Sequence, residues 1–129
     1  MKLRCTCGHI IQDSSDYLPY KGYIFPDPKL DNFLKMAEDL TQFFYAVSAN
    51  EKKKWLAENF SEIYPDKLDN VSVAYDIIMS HYDTQYIYEC ENCGRIWIED
   101  FRNKREKRYR SFYAEEEGSK GILSQDPHV

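Results

Sequence analysis

No stretch of this chain is apolar for long enough to cross a bilayer, which takes about 20 consecutive apolar residues in a helix. The opening residues, Met1 to Cys7, lack the apolar core and small-residue cleavage site of a secretory leader. The expected location is therefore the cytoplasm, with no membrane contact. Thiols stay reduced there, and paired cysteines point to metal or redox chemistry, not to disulfides. Histidine is scarce as well. His9, His81 and His128 have no spaced partners that would build a catalytic triad or a hydrolytic metal centre. His81 falls near the end of a predicted helix, where a capping role suits it. Positive charge is in short supply: the formal charge is −5, and a chain this acidic is a poor binder of phosphate backbones. Internal repeats are absent.

What the chain does have is a globular composition. Its 129 residues are 43% hydrophobic and 30% charged, enough for one domain with a modest core. Aromatic residues reach 16%, most of them tyrosine, whose ring buries area while its hydroxyl reaches water or a partner.

Residues 2–12 read as a hairpin with Cys5-Thr6-Cys7-Gly8 at its tip. After a polar stretch, Tyr23 to Phe25 read as a short strand closed by Pro26. Asp27-Pro28 predicts a helix start, with Asp27 as N-cap and proline at the first helical position. Leu30, Phe33, Leu34, Ala37, Leu40, Phe44 and Val47 keep the spacing of one buried helical face. Ser48 to Glu51 fits a capping box for a second helix, with Trp55, Leu56 and Phe60 as its stripe and Tyr64-Pro65 as its stop. Lys52, Lys53 and Lys54 read as a solvated face. From Leu68 to Tyr82, helical and strand periodicities compete. Length favours a helix with Val71, Ala74, Tyr75, Ile78, Met79 and Tyr82 as its stripe.

The character changes at Thr84. Tyr86 to Cys90, Arg95 to Glu99 and Lys107 to Tyr113 read as strands, with turns at Cys90 to Gly94 and at Asn103-Lys104. The acidic tail beyond Ala114 contains Gly118 and Gly121 and is expected to be loosely held. The expected fold is α+β, a single domain over 1–129. Hairpins from 1–26 and 84–114 enclose a helical insertion of about three helices over 27–82, and 115–129 form the tail.

The four cysteines carry the strongest signal. In Cys90-x-x-Cys93-Gly94 two sulfurs on one turn approach one ion, and Gly94 permits the left-handed backbone that returns the chain to a strand. Cys5-x-Cys7-Gly8 offers a second pair, because residues i and i+2 of extended chain share a face. Together Cys5, Cys7, Cys90 and Cys93 make a saturated four-thiolate set, the structural kind of zinc site, so the expected cofactor is Zn²⁺. A disulfide between Cys5 and Cys7 would close an awkwardly small ring. A thioredoxin-like pair would sit at a helix start, whereas strand follows Cys93. Iron–sulfur spacings do not match. His9 is a substitute ligand or, better, an outer hydrogen-bond donor.

Two cysteine turns, each followed by glycine, are similar to the zinc ribbon, although here they are far apart in sequence and the first is Cys-x-Cys. The wider layout resembles small bacterial proteins of largely unknown role, some of which accompany secreted antibacterial toxins as immunity proteins. That resemblance implies binding to a cognate toxin.

A saturated metal site offers no open position and no nucleophile, so the chain is not expected to be an enzyme. An acidic, tyrosine-rich, metal-clamped domain suits a basic protein partner, since charge complementarity speeds encounter and excludes wrong partners. The expectation is a non-catalytic zinc-stabilised binding protein, an immunity protein for a toxin. Its contacts would be Asp13, Asp16, Tyr17, Tyr20 and Tyr23, in the first long loop. The alternative is a zinc-ribbon module that binds nucleic acid, or a component of the transcription or translation machinery, through Arg102, Lys104, Arg105, Lys107, Arg108 and Arg110. The overall acidity disfavours nucleic acid.

Overall fold

A computed structural model describes residues 1–102, 106 and 108–124. The elements run β1 (Lys2–Arg4), β2 (Ile10–Gln12), β3 (Lys21–Ile24), a 3-10 turn (Asp27–Lys29), α1 (Asp31–Ser48), α2 (Lys52–Asn59), α3 (Asn70–Ser80), β4 (Gln85–Glu89), β5 (Ile96–Asp100) and β6 (Arg108–Phe112). The fold is α+β, with the helices between N- and C-terminal hairpins. It divides into two compact units, one of Met1–Phe25 with Thr84 onward, the other Pro26–Asp83.

In the first unit β1 and β2 form a two-stranded antiparallel sheet, and β3-β4-β5-β6 form a four-stranded one. Ile24 at the end of β3 stands opposite Gln85 at the start of β4. The helical unit is thus an excursion from a β-hairpin, and the ladder itself closes the loop. The core is Cys5, Ile11, Tyr88 and Cys90, with Leu3, Tyr20, Tyr86, Trp97 and Tyr109 packed against it. Alternation along β4 sends Tyr86, Tyr88 and Cys90 to this core and Gln85, Ile87 and Glu89 to the opposite face.

In the second unit Phe43, Leu56, Val73 and Ile77 are buried, and Leu40, Val47, Trp55, Phe60, Tyr64 and Leu68 pack around them. Rings dominate: Phe43 lies 5.4 Å from Trp55, and Phe60 stacks on Tyr64 at 4.4 Å. Several sequence expectations shift here. On α1 the buried positions are Phe43 and Ala46, whereas Phe33, Leu34, Ala37 and Phe44, like Leu30 just before the helix, are exposed, so the core face is rotated about one residue round the helix. On α3 Val73 and Ile77 face inward, and Val71, Tyr75 and Met79, like Tyr82 just past the helix, are exposed. Both helices are apolar on two sides, and the tertiary partner decides which side is buried.

The helix starts differ too. Asp27 opens the 3-10 turn and Pro26 precedes it as the cap residue, without a side-chain bond. Ser48 is the last residue of α1 and its hydroxyl donates back to the Phe44 carbonyl at 3.1 Å. Asn50 then takes a left-handed conformation (φ 58), Glu51 caps α2 without a side-chain bond, and no capping box forms. The cap that does form is Asp69, which accepts from the Ser72 amide at 3.2 Å. Lys53 and Lys54 are solvated, but Lys52 turns its ammonium to the Leu68 carbonyl at 2.5 Å. His81 caps the end of α3, with Nε2 2.7 Å from Asp39.

Candidate metal centre

The two cysteine pairs lie on matching turns. In the first, the Cys5 amide donates to the His9 carbonyl at 2.8 Å and the Gly8 amide to the Cys5 carbonyl at 2.9 Å. In the second, the Cys90 amide donates to the Arg95 carbonyl and the Gly94 amide to the Cys90 carbonyl, each at 2.8 Å. Gly8 (φ 96) and Gly94 (φ 77) supply the left-handed residue after each pair, which a side chain would strain. A Cβ on Gly94 would also stand 3.4 Å from the Lys120 backbone.

These turns bring all four sulfurs within 4.8 Å of one another. Cys5 lies 3.6 Å from Cys93, and Cys7 lies 3.5 Å from Cys90. Four thiolates at the usual zinc–sulfur bond length sit about 3.8 Å apart at the corners of a tetrahedron, so the spacing fits one ion. It is far too long for disulfides, whose sulfurs stand about 2 Å apart. Cys5 and Cys90 are buried, Cys93 is half-buried and Cys7 is exposed, so the centre has one edge toward solvent. His9 is not part of the cluster.

Donors around the sulfurs favour thiolate. The Asn92 amide reaches the Cys7 sulfur at 3.4 Å and, with the backbone N–H of His9, holds the Cys7 thiol down to about 6. At Cys5 burial pushes the pKa up, but the Cys7 N–H and the Trp97 indole outweigh it and the net shift is downward. The Trp97 indole nitrogen is buried without a hydrogen-bond partner among the described residues, and its N–H still contributes to lowering Cys5. Cys90 is pushed up to about 12 by burial, against the backbone N–H groups of Cys93 and Asn92. Without metal the cluster therefore mixes thiolate and thiol. A divalent soft-metal ion would neutralise the buried sulfurs, and zinc fits the all-thiolate donor set.

The five loop residues expected to bind a partner have separate fates. Asp13 pairs with Lys21 at 2.6 Å and accepts the Tyr88 hydroxyl. Tyr20 donates to the Gln12 carbonyl at 2.5 Å. Tyr23 meets Tyr86 edge to face at 5.6 Å, and the Lys21 ammonium sits over both rings. Asp16 is exposed, and Tyr17 is fully exposed with a left-handed backbone (φ 59). Three of the five thus make contacts within the fold, Tyr23 while remaining exposed. The outer donors Asn92 and Trp97 carry no spacing signal in the sequence. Of the basic segment, Arg102 and Arg110 both bind Asp100, Arg108 binds Glu106, and Lys104, Arg105 and Lys107 lie outside the described residues, as does His128. Among the described residues no helix is long and apolar enough to cross a membrane.

Residues 1–117 match the family described as a domain of unknown function, DUF8617, and the chain belongs to that family. No curated protein and no solved structure matches it.

Proposed function

We propose that this DUF8617 protein is a non-catalytic binding module, held together by one zinc ion, that acts as an immunity protein and neutralises a cognate toxin by direct binding. The observation that carries this reading is Tyr17. It stands fully exposed in a left-handed conformation that only a small share of non-glycine residues adopt. Asp13 and Tyr20 fix the loop on either side of it. An exposed ring on a strained, braced loop is the kind of aromatic anchor that dominates protein interfaces. Asp16 beside it and the net charge of −5 suit a basic partner, such as the active-site cleft of an enzyme that acts on nucleic acid. The zinc ion in this reading is structural, because four thiolates leave no position for substrate.

The alternative, nucleic-acid binding through 102–110, draws on an open groove of Trp97, Arg102, Tyr109, Arg110 and Phe112. Asp100 counts against it. That carboxylate holds Arg102 at 2.8 Å and Arg110 at 3.2 Å and takes up much of the charge a phosphate would need.

The test is binding of the purified product of a toxin-domain reading frame adjacent to this gene. Calorimetry should give a tight complex, and Tyr17→Ala should weaken it by about 2 kcal/mol or more. A ribosomal or transcriptional neighbour, or a salt-sensitive shift of random RNA by this protein, would overturn the immunity reading.

A further inference from the structure

Glu89 is 3% exposed, on the face of β4 away from the metal core. A buried carboxylate is costly unless donors surround it. Its donors are two backbone N–H groups of the C-terminal segment: Gly121 to one oxygen, and Leu123 to the other at 3.0 Å. The segment makes a turn here, closed by the Ser124 amide on the Gly121 carbonyl at 3.2 Å, with Gly121 left-handed at φ 87. Leu123 approaches Gly22, where a Cβ would lie 3.8 Å from its methyl group and 3.0 Å from Ile87. Lys120 passes close to Gly94. Far from hanging loose, residues 118–124 behave as a ligand seated in a site.

The family match ends at residue 117. Glu89 and Gly22 belong to the family domain, whereas the donors that satisfy Glu89 lie beyond it. Beside the seated turn a cavity of about 370 Å³ remains, lined by Pro19, Tyr20, Glu89, Glu91, Lys120 and Gly121. Two carboxylates on the domain side set a preference for a cationic residue next to the turn.

We propose that the Glu89 face of β4 is a peptide-recognition site for a Lys-Gly-x-Leu turn of a partner protein, and that residues 118–124 occupy it in cis as a built-in competitor. The chemistry is backbone-directed. Two convergent N–H groups, two residues apart, bind one carboxylate, glycine supplies the left-handed residue, and the aliphatic side chain packs beside Gly22 and Ile87. The site shares Tyr20 with the brace of the Tyr17 loop but takes a different ligand, and the immunity reading does not decide it.

The probe is a fluorescein-labelled peptide Gly-Ser-Lys-Gly-Ile-Leu-Ser, the sequence of residues 118–124, titrated against the full chain and read by anisotropy. The tethered strap competes at millimolar effective concentration, so wild type should bind the peptide weakly, and Leu123→Pro, which removes one strap N–H, should bind it roughly tenfold tighter or more. A peptide N-methylated at its second glycine and its leucine should not bind. Gly121→Ala, which strains the strap at φ 87, serves as the second variant. Equal affinity for wild type and variants, undiminished binding of the N-methylated peptide, or no binding to a variant whose strap amides exchange freely would overturn the proposal. So would loss of zinc and of folding in both variants, since the strap would then be a fixed part of the fold.

Discussion

The sulfur of Cys7 lies 3.5 Å from that of Cys90, 83 positions further along the chain. The contact ties the tip of the β1–β2 hairpin to the β4–β5 turn, and Cys5 and Cys93 repeat it at 3.6 Å. Two of the four buried residues in the core of this unit are cysteines, so the cysteine cluster is part of the core. Such a small core needs a staple, and a structural zinc ion is one.

Metal removal should therefore act on one unit. Protein purified without added metal should carry one zinc per chain by elemental analysis, and cobalt substitution should give the absorption of a tetrahedral thiolate site. Chelation should abolish amide protection in β4 and β5. The helical unit has its own core of Phe43, Leu56, Val73 and Ile77, so its far-ultraviolet dichroism should persist. Substoichiometric metal with four reactive thiols, or simultaneous loss of the helices, would contradict this.

Turn chemistry is local, which is why the cysteine pairs, their glycines and the strands beside them are legible in the sequence. Cys90-x-x-Cys93-Gly94 carries its own geometry within five residues. Faces of helices are not local. Val71, Tyr75 and Met79 form as good a stripe as Val73 and Ile77, and only Phe43 and Leu56 across the core select the second. The contacts of the loop residues are hidden for a related reason: the partners of Asp13 and Tyr23, Lys21 and Tyr86, are set by the sheet and not by spacing in the loop. Glu89 gives no signal at all, because its partners are backbone N–H groups of a distant turn.

The choice of helical face is testable by a pair of substitutions. Val73 is fully buried and Val71 is 78% exposed, two residues earlier on the same helix. Val73→Ala should cost about 1–3 kcal/mol in urea unfolding through lost burial and a cavity. Val71→Ala should change stability by less than about 0.5 kcal/mol. Phe43→Ala, at the centre, should cost about 3–5 kcal/mol. Reversed valine effects would restore the stripe read from periodicity.

Acid should weaken the first unit through Asp13. Burial alone would raise its pKa, but the hydrogen bonds from Lys21 and Tyr88 and the Lys21 charge outweigh that, and the net shift is below 3.8. A carboxyl whose folded pKa is depressed binds its proton more readily in the unfolded chain. It therefore contributes stability that is full above about pH 4 and is lost as pH falls through the folded value. Asp13→Asn should cost about 2 kcal/mol at pH 7 and should flatten the fall of Tm below about pH 4. An unchanged acid limb in the variant would show that other carboxylates set it.

Asn92 sits outside the coordination sphere and faces its exposed edge. Its amide donates to the Cys7 sulfur at 3.4 Å and is the largest cause of the lowered Cys7 pKa, about 6. Asn92→Ala removes that donor without touching the core, because Asn92 is exposed. In metal-free protein the pH midpoint of Cys7 alkylation should rise from about 6 toward the ordinary thiol range, since the thiolate loses its best partner. Metal affinity should fall by about 10- to 100-fold, the usual cost of removing an outer-sphere partner. The loss should be larger at about pH 6 than at about pH 8, because a proton then competes more strongly for the sulfur. Trp97→Phe should do the same for Cys5, whose pKa the indole N–H helps to lower. Competition with a chromophoric chelator at the two pH values reads both effects. A pH-independent loss would assign Asn92 a packing role, with no part in holding the thiolate.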